Sequence, residues 1–450
     1  QKVDALSASN YFDINFKGRE ENKRFSEMKK DFAPKTEKIL VYATRIAKSL
    51  NAPVATQEHM YLAILLDLDK YIDELNNGAK YEETLSNVGS VPVLEEYIAP
   101  AYFKEKEGRA KLQPVIKDEI KNVKQSIEQQ AQNNPRGRRF GTPPLSPSLI
   151  NDIYFFNKKL DATTPSQSSI SLIDDSVLLA SLIASESKST RSKTLSFVNR
   201  LQEAAMIDEA PQKEKIHLHF YDEKADNLWK NFDLGRNMFV LFDKDNENAP
   251  KYLLRSFANL INKPGQSYKN LNKDNVDITF FNDKANFELI TKKYEDAKKD
   301  KDKKHIFVLD WATAGSSSSR LRGKEGQIFF TLEDLKLIQN KDKESTVQFL
   351  ILSNKDFYYG TNQNALIKNA VDDYGELSLP IMNAEDTKKV LIESPEFIDK
   401  AVKKKVSEDA ITFAVEVSSA DDGIYPEKTL KLLKNVASYF VEKDEITSED

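Results

Sequence analysis

Lys251 follows an apolar run, Phe239-Val-Leu-Phe242, and a polar loop, and it opens an apolar helical pattern, Tyr252-Leu-Leu-Arg-Ser-Phe-Ala-Asn-Leu-Ile261. Strand, loop, lysine and helix in that order suit phosphate binding. A nucleotide hydrolase makes such a loop from glycines and ends it in Gly-Lys-Ser/Thr, so that backbone N–H groups cradle the phosphates and a hydroxyl holds Mg²⁺. The loop here, Asp243-Lys-Asp-Asn-Glu-Asn-Ala-Pro250, has no glycine and carries Asp243, Asp245 and Glu247. Tyr252 takes the place of the Ser/Thr. The scaffold of a phosphate site is present without its chemistry.

Other reactive residues are sparse. Four histidines occur, and no cysteine, so disulfides, thiolate metal sites and thiol nucleophiles are excluded. His217 and His219 alternate in Ile216-His-Leu-His-Phe220 and share one face of an expected strand. A metal site there lacks a third ligand in the sequence, and an exposed strand face is the competing reading; no metal site is expected. No Gly-x-Ser-x-Gly or His-Glu-x-x-His pattern is present. Asp174-Asp175 and Asp421-Asp422 fit capping or turn positions. The run Lys298-Lys-Asp-Lys-Asp-Lys-Lys304 reads as a solvated linker, and Ala314–Gly323 as a Gly/Ser-rich mobile loop.

The chain must then supply elements that hold Lys251. Its 450 residues are 40% hydrophobic and 30% charged, enough for two or three domains with sizeable cores. The net charge of −5 gives no global field for nucleic acid, and no run reaches the ~20 apolar residues of a membrane span. A cytoplasmic location is expected, with a leader or anchor ahead of Gln1 left open.

Residues 1–30 read as an N-terminal extension. Residues 31–205 read as helical. Ile39, Tyr42, Ala43, Ile46, Ala47 and Leu50 form one stripe, and Thr56 caps a second helix running to Asp67. Helical segments are expected near 91–103 and 114–131, a loop over Gln132–Pro147, and further helices after Ser146-Pro147 and from Ile173. A Pro-started helix followed by an apolar helix occurs twice, which suggests an internal repeat. A charged linker spans 206–215. From 216 to 382, strands at Ile216–Phe220, Met238–Phe242, Val276–Phe281, His305–Leu309, Val347–Leu352 and Leu377–Pro380 alternate with helices, the pattern of a mostly parallel α/β sheet. Residues 383–450 read as four helices: Ala384–Glu393, Ser394–Lys403, Ser407–Ser418 and Pro426–Glu442.

The order of these parts resembles the Clp/Hsp100 unfoldases. Phe32-Ala-Pro-Lys-Thr-Glu-Lys-Ile-Leu40 and Thr56-Gln-Glu-His-Met-Tyr-Leu-Ala-Ile-Leu-Leu66 are similar to that family's double-repeat N-domain. Val406–Ser418 and Ile424-Tyr-Pro-Glu-Lys-Thr-Leu-Lys-Leu-Leu433 are similar to the lid of its first-ring AAA+ module. The resemblance implies an all-α double repeat, an α/β AAA+-like P-loop domain and a small helical lid. It places the phosphate-loop lysine at Lys251, a Mg²⁺-supporting acid at Asp310 and a polar sensor at Asn354.

The resemblance also marks departures. Trp311 stands where the family has the glutamate that polarises water, and indole cannot serve as that base. Asp372-Asp373-Tyr374 replaces the arginine-finger triplet, and Gly423 the lid arginine. Four independent losses imply a pseudo-ATPase: a protein-binding scaffold, adaptor or structural subunit, not an enzyme, and without a cofactor. Its implied partners are proteins, including an active AAA+ ring or a larger assembly. The alternative is a nucleotide-binding or weakly active chaperone subunit using ATP and Mg²⁺.

Overall fold

A computed structural model describes residues 19–81, 97–98, 101–133, 141–163, 173–209, 215–266, 268–281, 285, 287–311, 346–362 and 373–450. They form two compact units, one ending at Ile207 and the other beginning at Asp208. No helix among the described residues is long and apolar enough to cross a membrane.

The first unit is helical: α1 (Arg19–Met28), α2 (Pro34–Ser49), α3 (Gln57–Asn76), α4 (Ala101–Lys104), α5 (Lys106–Gln132), α6 (Pro147–Thr163), α7 (Asp175–Ile183) and α8 (Lys188–Glu209). The apolar stripe of α2 buries Ile39, Leu40, Ala43 and Ala47 against α3, and α1 adds Phe25 and Met28 to the same core. Tyr42, read as part of that stripe, is instead exposed.

Two short parallel bridges knit this unit, Phe32 to Ile173 and Ala55 to Leu145. They are reciprocal. Ala33 N–H donates to Ile173 O at 2.9 Å and Ile173 N–H to Asp31 O at 2.6 Å; Ser146 N–H donates to Ala55 O and Ala55 N–H to Pro144 O, both at 2.8 Å. Each bridge joins the residue ahead of a Pro-started helix to the residue ahead of an apolar one. The expected helix over 91–103 falls largely outside the described residues, and α5 begins well before Pro114. Gly108 lies in its first turn, where a Cβ would sit 2.6 Å from the backbone of Tyr102.

The second unit carries a five-stranded parallel sheet: β1 (Met238–Phe242), β2 (Val276–Phe281), β3 (Lys304–Trp311), β4 (Val347–Asn354) and β5 (Gly375–Ser378), in the order β2-β3-β4-β1-β5. Every residue of β1 and β4 is buried, as central strands with both faces covered require. Helices α9 (Asp222–Asp233), α10 (Ala249–Leu260), α11 (Phe287–Lys299) and α12 (Lys355–Asn362) connect or cover the strands. Trp229 of α9 stacks on Phe257 of α10 at 4.1 Å and donates its indole N–H to Phe257 O at 2.8 Å.

Helices α13 (Ala384–Glu393), α14 (Pro395–Val402), α15 (Glu408–Ser418) and α16 (Glu427–Tyr439) follow, with a two-residue ladder of β6 (Lys405–Val406) and β7 (Glu445–Ile446). Their apolar faces join the sheet's core through residues such as Leu391, Ile398, Ile411 and Leu433.

One expected strand is absent. Residues 216–218 are extended but pair with no strand, and His219–Tyr221 is a 3₁₀ turn leading into α9. Both histidines bond the Asp222 carboxylate, and these local bonds take the place of a ladder.

Candidate functional site

The parallel sheet brings three residues to one edge. Phe242, the last residue of β1, pairs with Asn354, the last of β4, while Asp310 of β3 pairs with Leu352 of β4. The 243–248 loop, Asp310 and Asn354 therefore all lie at the carboxyl ends of the central strands. The chain leaves β1 toward β2 on one side, and β5 flanks β1 on the other, so this is the switch point where open α/β sheets bind ligands.

Two of the loop's N–H groups bond within it, and the next bond belongs to the start of α10. Asn246 N–H bonds Asp243 O at 2.8 Å, Ala249 N–H bonds Asn246 O at 3.2 Å, and Tyr252 N–H bonds Asn248 O at 3.2 Å. Pro250 has no N–H to give. The Asn246 side chain is buried and reaches Pro380 O at 3.4 Å, which fixes the turn to the strand-end segment after β5. A phosphate cradle needs several N–H groups converging on one point, and here those of Asn246 and Ala249 are taken up inside the loop.

Charge is arranged in the same sense. Asp243 is paired with Lys355 at 3.1 Å, while Asp245 and Glu247 are exposed. Tyr252 does not face outward as a Mg²⁺-binding hydroxyl would. It is buried, packs edge-on against Phe397 at 5.9 Å, and donates its hydroxyl to Glu427 Oε1 at 2.8 Å. Burial, reinforced by the Glu427 charge, pushes the Tyr252 phenol far above its ordinary range.

Lys251 is exposed at the start of α10. It lines a cavity of about 570 Å³ together with Arg255 of the same helix, Lys400 of α14, and Lys431 and Lys434 of α16. Glu427 is the one acid among the described residues that line it. Among the described residues that line it, neither Asp310 nor Asn354 appears, and the lysine shares it with residues of the C-terminal helices.

The remaining motif positions divide. Trp311 is the last residue of β3. Asp373 is an exposed turn residue, and Tyr374 packs against Phe239 at 5.3 Å; Asp372 lies outside the described residues, as does the 314–323 loop. Gly423 has φ +109°, a conformation only glycine adopts without strain, so the local backbone disfavours an arginine there.

His217 and His219 acquire a partner that sequence spacing did not suggest. Nε2 of His217 lies 3.2 Å, and Nδ1 of His219 2.9 Å, from the two oxygens of Asp222, with Lys263 Nζ at 3.6 Å. Burial opposes ionisation of Asp222, but bonds from both imidazoles and Ser256 hold its carboxyl well below the usual range. The signal that could have found it is the placement of Asp222 three residues after His219, one turn along the chain.

No family profile matches the sequence, and no curated protein is similar to it. Among solved structures, the chain is similar to a closed-state cryo-EM reconstruction of Hsp104 with ATPγS and FITC-casein. That match has 11% identity over 54% of this chain and 42% of that one, with a TM-score of 0.41. It is similar also to the extended conformation of the S. cerevisiae Hsp104–casein complex, at 9% identity over 53% and 41% of the two chains, with a TM-score of 0.40. The chain spans about two fifths of the length of these solved chains, and scores this low assign it neither an activity nor a partner.

Proposed function

We propose that this chain is a Clp/Hsp100-like protein with a degenerate AAA+ nucleotide site, acting as a protein-binding scaffold, adaptor or structural subunit of a larger assembly. The observation that carries the reading is the loop after β1, in which the Asn246 and Ala249 N–H groups bond within the loop and the hydroxyl of the residue after Lys251 is committed to Glu427. Hydrolysis also needs a base to orient water, and Trp311 cannot be one. The reciprocal bridges at Phe32–Ile173 and Ala55–Leu145 support a double-repeat N-terminal unit of the Clp type, a module suited to docking a protein. The helices from 384 to 439 support a lid packed on the α/β unit.

Turnover of ATP with Mg²⁺ by the full chain, measured as phosphate release, tests this. No release above buffer is expected. Release that disappears in Asp310→Ala would overturn the pseudo-ATPase reading.

A second reading rests on the basic cavity beside Lys251. A nucleotide could be held there by charge without being hydrolysed, so that binding regulates assembly. ATP binding without turnover, weakened by Lys251→Ala and by Lys434→Ala, would favour this reading over a nucleotide-free scaffold. Under either reading the partners are proteins and the location is cytoplasmic.

A further inference from the structure

We propose that His305, Asp277 and Asp300 form a binding site for one divalent metal ion of the zinc class, at the end of the sheet opposite the Lys251 edge. His305 is the second residue of β3 and its register partner on β2 is Asp277, which places both on one face of the sheet. Asp300 directly follows α11 and is turned back by its N–H bond to Ala297 O at 3.2 Å. One ligand atom from each residue lies within 4.8 Å of the others. Five residue steps along β3 separate His305 from Asp310, roughly 16 Å at the usual strand rise.

The second observation is the imidazole itself. His305 is only 7% exposed, and its Nε2 is buried without a hydrogen bond. The nearest carboxylate oxygen, Asp300 Oδ2, stands 3.5 Å away. That is too long for a good hydrogen bond but close to the roughly 3.4 Å edge of a tetrahedron whose metal–ligand bonds are about 2.1 Å. A buried polar nitrogen without a partner is costly, and a cation between it and the carboxylates would satisfy all three.

Access is through a cavity of about 530 Å³ lined by His305, Asp277 and Asp300, with Asp296, Lys273 and Lys293 also on its wall. One imidazole and two carboxylates form an N/O donor set that suits Zn²⁺, and three protein ligands leave a fourth position for water. Lys303 competes, since its Nζ lies 3.2 Å from Asp277 Oδ1, and the ion would displace it. The cluster of His217, His219 and Asp222 is a poorer candidate because its groups already satisfy one another and Lys263 stands beside them.

The test is calorimetric titration of the full chain with Zn²⁺ after chelator treatment. One ion is expected to bind with a micromolar or tighter dissociation constant. Asp277→Asn and Asp300→Asn should each weaken it at least tenfold. Both side chains are partly exposed, 46% and 39%, so these variants leave the core intact where His305→Ala would not. Lys303→Ala should tighten binding several-fold, and His217→Ala should leave it unchanged. Absence of Zn²⁺ binding by the wild type overturns the proposal. So does affinity unaltered in both aspartate variants, or binding lost only in His217→Ala.

Discussion

Tyr252 occupies the position where phosphate chemistry would require a small hydroxyl residue, and its hydroxyl is bound to Glu427, whose Oε2 is itself buried and otherwise unpartnered. Tyr252→Phe removes the one bond to that carboxylate among the described residues and should destabilise the second unit by about 2 kcal/mol, as the loss of a hydrogen bond to a charged group does. Denaturant unfolding of the variant checks this, and a change within error would mean that Glu427 is solvated. His59 gives a pH-dependent counterpart in the first unit. Its Nδ1 accepts the Thr56 N–H at 3.1 Å in a capping box at the start of α3, and burial pushes the imidazole down to about 4. The unfolded chain takes up this proton below about 6.5, but the folded chain only below about 4. Stability is therefore unaffected by this group above pH 6.5 and is lost as pH falls from there to 4, by up to about 3 kcal/mol. His59→Gln keeps a residue able to bond the Thr56 N–H and should flatten that dependence in unfolding measured across the same window.

At the scale of elements, Lys35 of α2 joins two helices, lying 3.0 Å from Asp175 of α7 and 3.0 Å from Asp67 of α3. Asp175 is almost wholly buried, so Lys35→Met should cost about 3–5 kcal/mol by leaving that charge uncompensated. Thermal unfolding should register the loss, and Lys35→Met combined with Asp175→Asn should recover part of it. The sequence makes such elements legible where burial is one-sided or complete. The bounds of β1 and β2 and of the helix Ala384–Glu393 were readable without coordinates. The segment 216–220 alternates like a strand, yet the bonds of His217 and His219 to Asp222 turn it into the start of α9, and alternation alone cannot show whether a neighbouring strand exists to pair with. The ladder Lys405–Val406 with Glu445–Ile446 is too short to leave any periodicity. The site divides the same way. Lys251, Asp310 and Asn354 were identifiable as residues ending or following strands. That Lys251 shares a basic cavity with Lys400, Lys431 and Lys434 was not, because those lysines are far apart in sequence and meet it only through helix packing.

At the scale of the molecule, two compact units are joined in one chain, a helical one and one built on a parallel sheet. Under the proposed function, the loop between β1 and α10 does not receive a phosphate. Isothermal titration of the full chain with ATP and Mg²⁺ reads this out. No saturable heat is expected, with Lys251→Ala indistinguishable from the wild type. Saturable binding with a micromolar or tighter dissociation constant, abolished by Lys251→Ala, would contradict it.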